Sequence, residues 1–147
     1  MAIIDAATQF SNAQTVTGAS AILSTNTLDA LQNRDLGGGG SFPVLFQVGT
    51  AFAGLTALEM QVITADDAGL TTNVTAIGST GAIPLASLTT GARFYAGINS
   101  HPQQKGQRYI GCRYVPTGTG TAGSISAQIG GNVGDFKPVY PVGYSVA

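Results

Sequence analysis

The stretch YVPTGTGTAGSISAQI, residues 114–129, decides how the chain is read. Its Gly118-Thr119-Gly120-Thr121-Ala122-Gly123 has the spacing of the glycine fingerprint that holds a dinucleotide phosphate. That fingerprint works where the glycines leave a strand and open a helix, because the amides at the helix start hold the pyrophosphate. Residues 109–115 fit the strand. Residues 124–129 alternate polar and apolar side chains with period two, which predicts a second strand and no helix. The acidic residue required about 20 positions further on is missing as well, since Asp135 comes too early and lies among Gly, Asn and Pro. The glycines are expected to form a flexible hairpin connection, with no nucleotide bound.

The same two-residue period recurs on either side of this stretch. Val44, Phe46 and Val48 share one face, as do Leu58, Met60, Val62 and Thr64, then Phe94, Ala96 and Ile98, then Ile110, Cys112 and Tyr114. Residues 74–77 and 83–88 are shorter strand candidates. Turn signals separate them at Asp66-Asp67-Ala68-Gly69, Gly78-Ser79-Thr80-Gly81, Thr89-Thr90-Gly91 and Asn99-Ser100-His101-Pro102. Helical periodicity is confined to residues 26–33, enough for a turn or two. Short strands with polar turns at this cadence predict an all-β chain, folded as a single antiparallel β-sandwich of the immunoglobulin-like or jelly-roll kind.

With 147 residues the chain suits one domain, which at this size buries roughly two-thirds of its unfolded surface. We expect residues 1–36 to hold an N-terminal arm and the first strands, residues 37–41 a glycine-rich loop, and residues 137–147 an extended tail. In that tail Tyr140, Val142, Tyr144 and Val146 fall on alternate positions. Extended ends with one apolar side suit binding along a partner, through main-chain hydrogen bonds and alternate side-chain pockets.

Charged residues make up 9% of the chain, against about 25% in ordinary soluble domains. So neutral a surface resists association poorly, and much of it is expected to be covered by another protein. A net charge of −1 does not supply the counterion release on which nucleic-acid binding depends. No segment has the run of apolar residues of a membrane helix or a signal peptide, so membrane partners are not expected and synthesis in a cytosol is. The sequon at Asn73 then has no consequence, and the single cysteine, Cys112, has no internal disulfide partner.

The residues that could carry chemistry are few. Cys112 falls on an apolar strand face while the only histidine, His101, sits in a turn, so the pair is not expected to act as nucleophile and base. Asp66 and Asp67 lack the further oxygen ligands of a calcium loop and are expected to bond local amides. Lys105, Arg108 and Arg113 form the one basic cluster, enough for modest attraction to an acidic surface. Arg34 and Asp35, before the glycine run, are adjacent opposite charges suited to pinning that loop or pairing with a partner. The absence of Trp argues against a sugar-stacking platform. No catalytic residue, cofactor, metal or small-molecule substrate is expected.

One resemblance spans most of the chain. Ile4-Asp5-Ala6, Gln9-Phe10-Ser11, Ala13-Gln14, Ser24-Thr25-Asn26, Leu28-Asp29 and Arg34-Asp35-Leu36-Gly37 stand in order. Gly106-Gln107-Arg108-Tyr109, the Gly/Thr stretch and Tyr140-Pro141-Val142-Gly143-Tyr144 follow. This order resembles the capsid cement proteins of Bordetella-type tailed phages. The resemblance implies a jelly-roll protein, not an enzyme. Such a protein assembles as a homo-oligomer on the outside of an icosahedral head, bridging major capsid subunits of the HK97-like fold. It also implies a protein made in the host bacterial cytoplasm and carried on the virion. With the apolar ends it marks Ile3, Ile4, Phe10, Arg34, Tyr140 and Tyr144 as contact residues. The competing expectation is a receptor- or glycan-binding module of a phage fibre or spike.

Overall fold

The computed structural model describes residues 6–31, 42–98 and 108–130. It is antiparallel β throughout, with no α-helix among the described residues. After a 3-10 turn at Ala6–Thr8 come β1 (Gln9–Thr15), β2 (Ile22–Leu23), β3 (Leu28–Asp29), β4 (Phe42–Ala65) and β5 (Thr75–Pro84). A second 3-10 turn at Leu85–Ser87 leads to β6 (Arg93–Ile98) and β7 (Tyr109–Ile129). All seven strands belong to one sheet of order β1-β7-β4-β5, in which β2 and β3 also pair with β7, and β6 with β4.

The organising unit is the ribbon of β4 and β7, 24 and 21 residues long. Its first half, from Val44↔Ile129 to Val48↔Ile125, is flanked by β6 and β1. The second half, from Ala57↔Thr117 to Ala65↔Tyr109, is flanked by β5 on one side and by β2 and β3 on the other. Tyr114 stands opposite Met60, and a straight strand would hold Met60 roughly 45 Å from Phe46. Yet the Phe46 and Tyr114 rings meet edge to face with centroids 6.3 Å apart. The ribbon therefore folds back on itself, and the expected sandwich is made from two halves of one continuous sheet.

The interior lies between these halves. Val44, Phe46, Val48, Ile125 and Ala127 from one half pack with Leu58, Met60, Val62, Ile110, Cys112 and Tyr114 from the other, closed by Leu88 and Phe10. Each large apolar side chain so buried contributes roughly 1.5–3 kcal/mol. A smaller cluster of Ile63, Ala65 and Leu70 lies on the opposite face of the second half. There Gly111 admits Leu70, whose Cδ1 is 2.3 Å from where a Cβ would stand. At one side the outer strands close up so tightly that a Cβ on Gly78 would lie 2.5 Å from the carbonyl oxygen of Gly97.

Three expectations are corrected. The Gly/Thr stretch is not a hairpin: β7 runs through it without a break, and the two strands read at residues 109–115 and 124–129 are one. Here the ribbon bends, with register shifts between Val48 and Ala57 and positive φ at Gly54 (84°), Gly118 (90°) and Gly123 (142°). Bulges break the two-residue period as a turn does, so the pattern alone misread a corner as a loop. For the same reason Gly78-Ser79-Thr80-Gly81 lies within β5, where register shifts interrupt its pairing with β4. Residues 26–31 are not helical either: Leu28 and Asp29 pair with Ile110 and Tyr109 of β7. Residues 37–41 and 137–147 lie outside the described residues, and from Ala6 onward the N-terminal segment is built into the sheet.

Candidate interaction surface

Cys112 faces the interior, fully buried, and burial pushes its thiol well above the ordinary range. Its backbone N–H donates to Ser24 Oγ at 3.0 Å, which fixes the strand around it. His101 lies outside the described residues. A thiol reagent such as Ellman's reagent is expected to leave Cys112 unmodified in native buffer and to react fully in denaturant. Rapid native reaction would show that the strand opens.

The acidic turn is held by its own donors. Asp67 accepts from the backbone N–H of Thr71 (2.9 Å) and Thr72 (2.6 Å) and from the Thr71 hydroxyl (2.9 Å). Asp66 accepts from Asn73 Nδ2. Among the described residues no three His, Cys, Asp or Glu side chains are grouped to hold a metal ion. The bonds from Thr72 and Thr71 lower the Asp67 carboxyl from 3.8 to about 2. A depressed folded-state value means its contribution is present above 3.8 and is lost as pH falls towards 2. In denaturant titrations the parent is expected to lose stability more steeply than Asp67→Asn across that window. Equal slopes would remove Asp67 from the account.

The two described members of the basic cluster, Arg108 and Arg113, are spent on structure. Arg108 makes two 3.0 Å bonds to the Asp29 carboxylate, and its guanidinium stands 4.9 Å from the Tyr109 ring centre. The Arg108 guanidinium lowers the Asp29 carboxyl in turn. Arg113 donates to Gln61 Oε1 at 2.9 and 2.6 Å, while Gln61 Nε2 and Ser79 Oγ donate to Glu59 at 2.8 and 2.6 Å. These bonds tie β7, β4 and β5 across one outer face. Lys105 lies outside the described residues.

Of the expected contact residues, Ile3, Ile4, Arg34, Tyr140 and Tyr144 lie outside the described residues, and Phe10 is corrected. It is 1% exposed and belongs to the core. The pairing Gln9↔Gln128 followed by Ser11↔Ala127 leaves one extra residue on β1, and this bulge lets Phe10 and Ser11 both be buried. A bulged strand has no constant period, so the sequence could not show which way Phe10 points.

The motif residues near the N-terminus turn out to staple it down. Ser11 Oγ donates to Gln14 Oε1 at 2.6 Å, so its 2.7 Å contact with the Tyr114 hydroxyl is one in which Tyr114 donates. Gln14 also donates to the Leu23 carbonyl and accepts from Thr25 N–H. Ser24 Oγ donates to the Asn26 carbonyl, and Asn26 bonds back to Phe10 and Gln9. Sequence reasoning missed this network because its local bonds, from 2 to 17 residues apart, form only once the segment is laid on β7, where Ser11 meets Tyr114, 103 residues away.

Rows of mostly polar side chains cross the outer face of the first half-sheet. One row across it is Gln9, Gln128, Leu45 and Tyr95, and the next is Ser126, Gln47 and Arg93. A groove of about 160 Å³ lies among Gln9, Asn12, Leu45, Gln47, Ser126 and Gln128. Gln9 also borders a second groove of about 450 Å³, whose lining includes Ala6, Phe10, Asn26 and Leu28. Neither lining holds a charged side chain. The described chain begins and ends here, because Gln9 opens β1 opposite Gln128, and Gly130 N–H bonds the Pro43 carbonyl.

No curated protein matches the chain. The Bbp16 family model aligns with residues 10–129, from the buried Phe10 to the last residue of β7, and so takes in every described strand but Gln9. With well over half of its length matched, the chain belongs to the Bbp16 family.

Proposed function

We propose that this chain is a structural protein of a phage virion: a cement protein that binds the outside of the icosahedral head and bridges major capsid subunits, with no catalytic activity. The observation that carries the reading is membership of the Bbp16 family, whose name points to a Bordetella phage protein. Three features support it. Charged residues are scarce over the whole chain, and the two arginines among the expected basic cluster that are described are bonded within the fold. The sandwich is built on one long ribbon, a stiff body for carrying contacts. Phe10, the described one of the contact residues marked by the resemblance, is buried in the core, which leaves Ile3, Ile4, Arg34, Tyr140 and Tyr144 as the proposed contacts.

In this reading the protein is made in the host cytoplasm, assembles as a homo-oligomer, and adds free energy across boundaries in a shell of the HK97-like fold. A standard interface buries about 1,600 Å² in total, and repetition over a closed shell makes modest contacts decisive. Counting copies in purified virions tests it. Hundreds per particle are expected. A handful would place the chain in a fibre or spike, and none would end the proposal.

Truncation gives a second test, with its boundary set by the fold. Removal of residues 1–5 and 140–147 is expected to weaken head binding at least tenfold while leaving the melting transition within a few degrees of the parent. Removal of residues 1–12 is expected to abolish folding, since it takes Phe10 and Ser11 from the interior.

A further inference from the structure

The carboxamides among the described residues divide into two groups. Gln14, Asn26, Gln61 and Asn73 all have hydrogen-bond partners within the fold. Gln9, Asn12, Gln47 and Gln128 gather around one groove, and among the described residues their side chains have no hydrogen-bond partner. Three of the four are only half exposed, Asn12 being the exposed one. Half-buried amides with unspent donors and acceptors are costly to leave dry and well suited to a partner that supplies both. Between them Leu45, only 4% exposed, forms an apolar floor on the face turned away from the core.

The chain's ends add a second, independent observation. Residues before Ala6 and after Gly130 start from the rim of this same face. At no more than about 3.6 Å per residue, Ile4 stays within about 7 Å of Ala6, whereas Tyr140 can reach about 35 Å from Gly130. Chain length therefore keeps Ile3 and Ile4 within reach of the Gln9 end of the groove.

From this we infer that the face of Gln9, Asn12, Gln47 and Gln128 is the primary docking surface, and that it takes uncharged polypeptide main chain of the shell subunit. A side-chain carboxamide presents one donor side and one acceptor side, which matches the N–H and C=O of a peptide group. The groove lining is free of charge, with Arg93 standing outside it beside Gln47, and this suits the centre of a protein interface, from which charged residues are depleted. This inference rests on the head-binding reading above.

The test is co-sedimentation with heads stripped of this protein, comparing the parent, the triple variant Gln9→Ala/Gln47→Ala/Gln128→Ala, the single variant Gln47→Lys, and Thr117→Lys at the exposed corner as a control. Both face variants are expected to lose at least tenfold in affinity with melting midpoints near the parent's, while the control binds as the parent does. Should the triple variant fold poorly, Gln47→Lys alone is decisive. If the parent binds and a folded face variant binds equally, this inference is wrong and the head-binding reading stands. If the parent does not bind at all, both fall. Binding of the parent to a glycan array, lost in the triple variant, would overturn the polypeptide assignment in favour of a sugar.

Discussion

Tyr114→Ala is expected to cost about 3–5 kcal/mol, a large share of the roughly 5–15 kcal/mol by which a domain is usually stable. Tyr114 heads the fully buried side chains in volume. Its ring sits between the half-sheets against Phe46, so truncation opens a cavity where the sandwich is closed. Truncation also strips Ser11 Oγ of its donor, and Ser11 is wholly buried. Urea midpoints measure the loss. Tyr114→Phe keeps the ring and removes only the hydroxyl, for an expected cost of about 1–2 kcal/mol. The double variant Tyr114→Phe/Ser11→Ala should cost less than the sum of the singles, because it removes both partners of one bond. Strict additivity would mean that the two groups do not interact in solution.

Gly123→Ala is the second large effect, expected at about 2–6 kcal/mol from backbone strain and overpacking together. Gly123 has φ 142°, a conformation side chains rarely adopt, and a Cβ there would lie 2.2 Å from Phe52 Cδ1 and 2.4 Å from Cε1. Phe52 is 7% exposed and covers the bare glycine at the corner of the ribbon. The Gly123 carbonyl, moreover, accepts from Val16 N–H at 3.0 Å, so a shift of the corner would pull on the N-terminal segment. Shortening Phe52 to Leu in the Gly123→Ala background should recover part of the loss, the steric part, while the backbone strain persists. An alanine tolerated at position 123 without loss would show that the corner is not built as described.

How far the sequence could be read depended on where its periods stayed regular. Val44-Phe46-Val48 and Ile110-Cys112-Tyr114 lie on unbulged stretches, and their inward faces were legible at once. Around Gly118 and Gly123, around Gly78, and at Phe10, a bulge adds a residue and reverses the alternation. There the sequence looked like turns or like an exposed arm. The acidic turn was legible because Asp67 bonds residues within five positions. The docking face was not, since nothing in Gln9, Gln47 or Gln128 taken singly separates them from Gln14 or Gln61. The difference lies in which amides the fold happens to supply with partners.

Local and composition-level properties were settled by the sequence itself. Two-residue periodicity, with a helical rival only at residues 26–33, made the chain β. Scarce charge raised the expectation of a partner, and the ordered motifs pointed to a Bordetella phage protein, as the family name does. Tertiary structure decided the rest: that β4 and β7 are single strands bent double, that Phe10 lies inside, and that both ends depart beside one amide-lined face. Those outcomes depend on register between segments remote in sequence, and register is fixed only when the two faces of the sheet meet and bury their side chains together.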